Sequence, residues 1–288
     1  MSKQRAKKLS YREKAFLQVG NAIHLLGNFL ELHRQKDSRI PESINEALNI
    51  TEFYCKKYIE FYIEDLQLLI KINESKKFSN IEKGILNNYI NRRTFDIVSK
   101  LLYVSQLEID DRGVFIVAQL LGDIYKYSKN ERDSKTYTTL NTEFRNMVKT
   151  LLSDKKITFP NSTGLSKKYL EKNDLLFPPT EQILEKHLKT YVDEHKNISL
   201  NKKQMYDDYS MLSDAIHIGI TAGMARKYIS GYRDIAGISV RTRMMIEIVN
   251  SYYFNNTLDT EVEKWLSEFF LINKNFQEEW RKEISTKS

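Results

Sequence analysis

Apolar side chains return every three or four residues along most of this chain, the spacing of a helix face and not the alternation of a strand. Phe16, Val19, Ile23, Leu26 and Leu30 form one such stripe, and Cys55, Ile59, Tyr62, Leu66 and Leu69 form the next. Each set marks a helix with one face turned to a core. Between them Pro41 interrupts the pattern, and Pro41 to Ala47 can open a short helix of its own, because proline suits a first helical turn. Ser79 with Glu82 three residues on reads as a capping box, which predicts a helix running to about Gln106 with Leu86, Ile90, Ile97, Leu101 and Val104 as its seam. Asp110 or Asp111 is expected to cap the following helix, whose stripe is Val114, Val117, Leu121 and Ile124. A further helix covers roughly Lys135 to Leu152.

The pattern breaks at residues 154 to 179, which hold three of the four prolines together with Asn161, Ser162 and Gly164. This is a connection with room for one short helix. Phe159, Leu175, Leu176 and Phe177 favour an ordered segment, since a disordered linker seldom carries so many apolar groups. Thr180 is expected to cap the next helix, and helical periodicity continues at about 181–196, 202–225, 238–255 and 260–284. The run Met244 to Val249 is apolar on most sides and belongs at the centre of a core. Val262, Leu266, Phe269, Phe276 and Trp280 share a stripe on the last helix, with Trp265 beside it, as a core or subunit-interface face would. The expectation is an all-α fold, a bundle of about nine or ten helices without a substantial sheet. Residues 15–288 form one helical domain, with subdomains 15–153 and 180–288 as the division open to it.

Composition supports this reading. Ten glycines and four prolines among 288 residues are few, and tight sheet turns depend on those residue types. Cys55 is the sole cysteine, so neither an intrachain disulfide nor a thiolate zinc site can form, which fits a reducing cytoplasm. The basic start lacks the uninterrupted apolar run of a secretory signal. The most apolar window, Ala215 to Ala225, is shorter than the ~20 residues a bilayer requires, so no membrane partner is expected. The net charge of +7 is concentrated in residues 1–14, where six Lys or Arg face Glu13 alone. That basic N-terminal arm is either a solvated tail or a phosphate-neutralising contact for RNA.

Candidate chemistry gathers between Tyr206 and His217. On one helix, Tyr206, Ser210, Ser213, Asp214 and His217 stand three or four apart and share a face, so Ser213 and Asp214 can both approach the imidazole. A carboxylate beside histidine fixes its tautomer and favours the imidazolium, which suits a general acid or base. The same residues also describe a buried polar seam in which each group satisfies its neighbour. Gly219 and Gly223 follow one turn apart; each costs about 1 kcal/mol in a helix interior, so a neighbouring backbone or a ligand is expected to come close there.

A second cluster lies on the helix after Ser79. Arg92 and Asp96 are one turn apart and are expected to pair, while Arg93 falls on the seam between Ile90 and Ile97, where it either points inward, with Asp214 as a distant partner, or belongs to an exposed Arg–Asp pair. The helix carrying Arg92 and Asp96 followed by LLYV, the connection containing GLSKKYL, and the spacing of Tyr209, Leu212, Ser213 and His217 together resemble a bacterial family of all-helical proteins of unknown function. Asp96 stands where that family more often has glutamate, and its glycine after the histidine is displaced here to Gly219. The resemblance implies a helical fold from about residue 45 onward and gives weight to the Tyr209–His217 helix. It implies no activity.

No zinc-helix spacing is present, for His187 and His195 are eight apart, so no metal is expected. Neither a Walker A loop nor a dinucleotide fingerprint occurs, and no cofactor is expected. None of the histidines at 24, 33, 187, 195 and 217 has an arginine four to six residues upstream, the spacing used by small helical ribonucleases of toxin and phage-defence systems. Two functions remain. One is a non-enzymatic interaction protein that assembles with itself or a partner through the aromatic C-terminal helix. The other is a helical effector acting on RNA, with His217, Asp214 and Ser213 as catalytic candidates and Arg92, Arg93, Tyr206 and Tyr209 as phosphate- or ligand-binding candidates.

Overall fold

The computed structural model describes residues 9, 11–32, 45–128, 139, 142, 146, 166–194, 209 and 231–249, and eight positions between 264 and 282. Among the described residues every regular element is a helix. There are seven of them, against the nine or ten expected: α1 (Tyr11–Leu32), α2 (Asn45–Glu74), α3 (Asn80–Ser105), α4 (Ile109–Ser128), α5 (Lys167–Lys172), α6 (Thr180–Glu194) and α7 (Gly231–Ile248). The expected helices at 135–152, 202–225 and 260–284 fall mostly outside the described residues. Thr139, Thr142 and Asn146 are helical and exposed, as are Lys264, Ser267, Glu268, Leu271, Lys274, Glu278 and Lys282, with the three- and four-residue steps of one helix face.

The chain divides into two compact units, each assembled from separated segments. Residues 1–33, 59–102 and 180–288 make the first, and residues 34–58 and 103–179 the second. The division falls inside two helices, after Tyr58 in α2 and after Leu102 in α3.

In the first unit α1 packs against α7. The α1 core face is Val19, Ala22, Leu26 and Phe29, so the stripe is rotated slightly from the expected one and takes in Phe29. Ile59, Tyr62, Leu66 and Leu69 of α2 are fully buried, as their spacing required. Met244, Met245, Ile246 and Ile248 supply the buried apolar end of α7, and Val249 directly after it is buried too. A helix begins as far back as Asn45, so Glu46 and Ala47 belong to the first turn of α2 and not to a separate short helix. Ser79 and Glu82 form the expected capping box: the Ser79 N–H donates to Glu82 Oε2 at 2.7 Å and the Glu82 N–H to Ser79 Oγ at 3.3 Å.

Helices α2 and α3 run antiparallel, as two rungs between them show. Asn73 Nδ2 donates to Asn87 Oδ1 at 3.1 Å, and Arg93 Nε lies 3.1 Å from Asp65 Oδ2. The short link between the helices is pinned by Lys77 N–H to Ser75 Oγ (3.1 Å) and by Lys83 Nζ to the Asn73 carbonyl (3.0 Å).

In the second unit, α4 packs on α5 around Val114, Phe115, Val117, Ala118, Leu121, Leu170 and Leu175. Tyr103, Phe115 and Phe177 form an aromatic triangle with centroids 4.8–5.8 Å apart, which explains why the end of the 154–179 connection is ordered. Neither Asp110 nor Asp111 caps α4. The cap position is Glu108, whose carbonyl accepts from the Asp111 and Arg112 N–H groups, and both aspartates sit within the first turn. Arg112 turns back to donate to the carbonyls of Ser105 (2.5 Å) and Leu107 (3.0 Å), where α3 runs out of its own donors. The short α5 starts on Ser166, whose Oγ accepts from the Tyr169 N–H, and ends with Asp174 at φ 54°. There the Leu175 N–H reaches the Leu170 carbonyl at 2.9 Å, closing a Schellman turn.

Candidate functional site

Helix α3 buries far more polar surface than its apolar seam announced. Asn87, Asn88, Asn91, Thr94 and Ser99 are all sealed from solvent alongside Phe95, Ile97, Val98 and Leu101. Buried polar side chains must find partners or lose several kcal/mol, and on the Asn91–Thr94 face the partner comes from α7. Arg241, only 2% exposed, donates from Nε to Thr94 Oγ1 at 2.9 Å and from a terminal guanidinium nitrogen to Asn91 Oδ1. Its guanidinium carbon lies 4.0 Å from the centroid of Phe95. The neighbouring Thr242 shares a 2.8 Å hydrogen bond with the buried hydroxyl of Tyr62 on α2. Burial pushes that phenol far up; Arg241 and the Thr242 hydrogen bond pull it back, and Asp65 pushes it further up. α3 also holds its own polar groups in place, with Thr94 Oγ1 donating to the Asn91 carbonyl and Asn91 Nδ2 to that of Asn87.

The two arginines singled out by sequence take different roles. Arg92 pairs with Asp96 at 3.0 Å, as one-turn spacing predicted, and its guanidinium carbon sits 3.7 Å from the centroid of Tyr209. Tyr209 is buried and meets Phe95 edge-on at 5.7 Å, so Arg92, Tyr209, Phe95 and Arg241 follow one another in contact. Asp96 also accepts a 2.5 Å hydrogen bond from the Thr180 hydroxyl. Thr180 is thus the first residue of α6, and its side chain reaches α3 where a helix cap had been expected.

Arg93 does not turn inward. Its side chain is 56% exposed, and its described partner is Asp65 on α2; Asp214, the expected distant partner, lies outside the described residues. The carboxyl of Asp65 is 4% exposed, and its Oδ2 is close to Arg93 Nε without the alignment of a hydrogen bond. Burial raises this carboxyl from its ordinary value to about 6, Arg93 working against that rise and Glu64 adding to it.

Of the seven candidates, the structure therefore brings Arg92 and Tyr209 together and places Arg93 one residue along on the exposed flank. Ser213, Asp214, His217 and Tyr206 lie outside the described residues, as does the Gly219–Gly223 pair. Arg241 and Asp65 were missed. Arg241 occupies a core register between Ile238 and Met245, and that charge in an apolar stretch was the available signal. Among the described residues no three His, Cys, Asp or Glu side chains gather as metal ligands, and no helix is long and apolar enough to cross a membrane.

A phosphate-binding arginine must present its N–H fork to the ligand. Arg92 directs one nitrogen to Asp96 and lays its guanidinium over Tyr209, which is the geometry of a clamp between packed segments. No family model, curated protein or solved structure matches this chain.

Proposed function

We propose that this is a non-enzymatic helical interaction or assembly protein. The observation that supports it is the employment of Arg92, which pairs with Asp96 and lies over Tyr209, while Asp96 is also held by the Thr180 hydroxyl, so the arginine joins packed segments. Asn87, Asn91 and Thr94 of α3 work in the same way, as internal fasteners to α2 and α7. The assembly face proposed is the aromatic stripe of the C-terminal helix, Val262 to Trp280, whose polar complement at Lys264, Glu268, Lys274, Glu278 and Lys282 is exposed. The setting proposed, a bacterial cytoplasm with stress or phage defence as the process served, draws on the polar 206–217 helix and the basic arm together with the sequence resemblance, which by itself implies no activity. Sedimentation velocity across a hundredfold concentration range tests assembly. A concentration-dependent oligomer that Phe269→Ser with Phe276→Ser abolishes is expected, and a strict monomer at every concentration sinks the reading.

One observation favours the second reading, an effector ribonuclease. Arg93 keeps a half-exposed guanidinium next to Arg92, and Arg92 packs on the tyrosine that precedes His217 by eight residues. Induced expression in a bacterial host, with total RNA followed by electrophoresis, separates the two. The ribonuclease reading requires RNA fragmentation that disappears in both His217→Ala and Arg93→Ala at matched soluble levels.

A further inference from the structure

The tip of the α2–α3 hairpin combines three properties that no fastening role accounts for. It lies beyond the Asn73–Asn87 rung, so residues 75–82 form the apex of two antiparallel helices. Two large apolar side chains are exposed there: Ile81 is 76% exposed, the most of any large apolar side chain described, and Phe78 beside it is 40% exposed. Around them are Lys71, Lys76, Lys77 and Lys83 against Glu74 and Glu82, and Glu82 is committed to the capping box.

Leaving Ile81 in water forgoes burial that the rest of the seam obtains. The apex is also held in one conformation by the Ser79–Glu82 box, the Ser75 turn and the Lys83–Asn73 bond, so a surface that meets it does not have to order it. Two side chains cover far less than the ~1,000 Å² of a stable protein complex, which argues against a protein socket. Single-stranded nucleic acid rewards cations with several aromatic platforms, and here Phe78 is the one aromatic of the apex while the more exposed side chain, Ile81, is aliphatic. A lipid interface, by contrast, rewards a few apolar groups at headgroup depth beside lysines that meet anionic headgroups.

We propose that the α2–α3 tip docks on an anionic lipid surface, Phe78 and Ile81 entering at headgroup depth and Lys76 and Lys77 facing the lipid phosphates. This departs from the expectation of no membrane partner; a peripheral contact needs no spanning helix, and the proposal stands apart from the assembly reading. The test is flotation of the full chain with vesicles of phosphatidylglycerol and phosphatidylcholine, with vesicles of phosphatidylcholine alone, and with a single-stranded RNA as competitor. Binding to the anionic vesicles only is expected. Ile81→Ser with Phe78→Ser should weaken it about tenfold, and Lys76→Glu with Lys77→Glu by about twenty-fivefold or more. All four positions are exposed, so thermal unfolding of the variants should match that of the parent chain. Failure to bind anionic vesicles overturns the proposal. So does binding that the serine pair leaves unchanged, which would assign it to the basic residues 1–14, and so does RNA whose binding the tip variants abolish.

Discussion

A carboxyl that loses its water resists ionising, and Asp65 loses nearly all of it on α2. Its pKa of about 6 lies above the ordinary 3.8, so the folded chain holds this proton more tightly than the unfolded one. The resulting stabilisation is fully present below the unfolded value and is lost as pH rises through the folded one, an effect on the order of 2–3 kcal/mol. Asp65→Asn removes the charge at constant shape. Urea unfolding from about pH 4 to 8 should show the variant with a flatter profile and, near pH 8, a gain of about 1 kcal/mol; a loss there would mean that attraction to Arg93 outweighs burial. Arg241 poses the opposite case, a cation whose hydrogen bonds to Thr94 and Asn91 fill a core position. Arg241→Ala leaves both side chains without that donor and should cost about 2–4 kcal/mol in the same assay. Arg241→Lys should recover little, because an ammonium lacks the planar fork.

Element by element, what sequence made legible was what neighbouring residues decide. The capping box of α3 needs only Ser79 and Glu82, and the α2 stripe needs only its own spacing, so both could be read directly. Ser79→Ala should lower stability by about 1 kcal/mol. The polar side of α3 could not be read, because Asn91 and Thr94 become core residues only through an arginine 150 and 147 positions away. Arg93 was left open between burial and an exposed Arg–Asp pair for the same reason: the partner that holds it at the flank, Asp65, is on another helix. Thr180 looked like a cap by composition, yet it is the first residue inside α6, and its hydroxyl donates to Asp96. Asp174 shows a local signal that was present and unused, an Asn-Asp pair after a short helix. With its φ of 54°, Asp174→Gly should gain about 0.5–1 kcal/mol, read as a higher melting temperature.

At the scale of the whole molecule, helical class was legible because periodicity near 3.6 needs no tertiary information, whereas the candidate site depends on which helices meet. Of that site, sequence picked out Arg92 and Tyr209 and missed the buried arginine beyond Phe95. Hydrogen exchange should find the slowest amides of the first unit in α3 between Asn91 and Leu102, where side chains are buried on several sides; fast exchange there would contradict a fastened α3. The segmented make-up of the two units also sets an order of events during synthesis. The second unit has its last segment once residue 179 has been made, while the first waits for residues beyond 180. A ribosome adding roughly 5–20 residues per second takes about 7–30 seconds to travel from Asn91 to Arg241. For that interval the nascent chain carries the amide of Asn91 and the hydroxyl of Thr94 with water in place of the guanidinium they will receive.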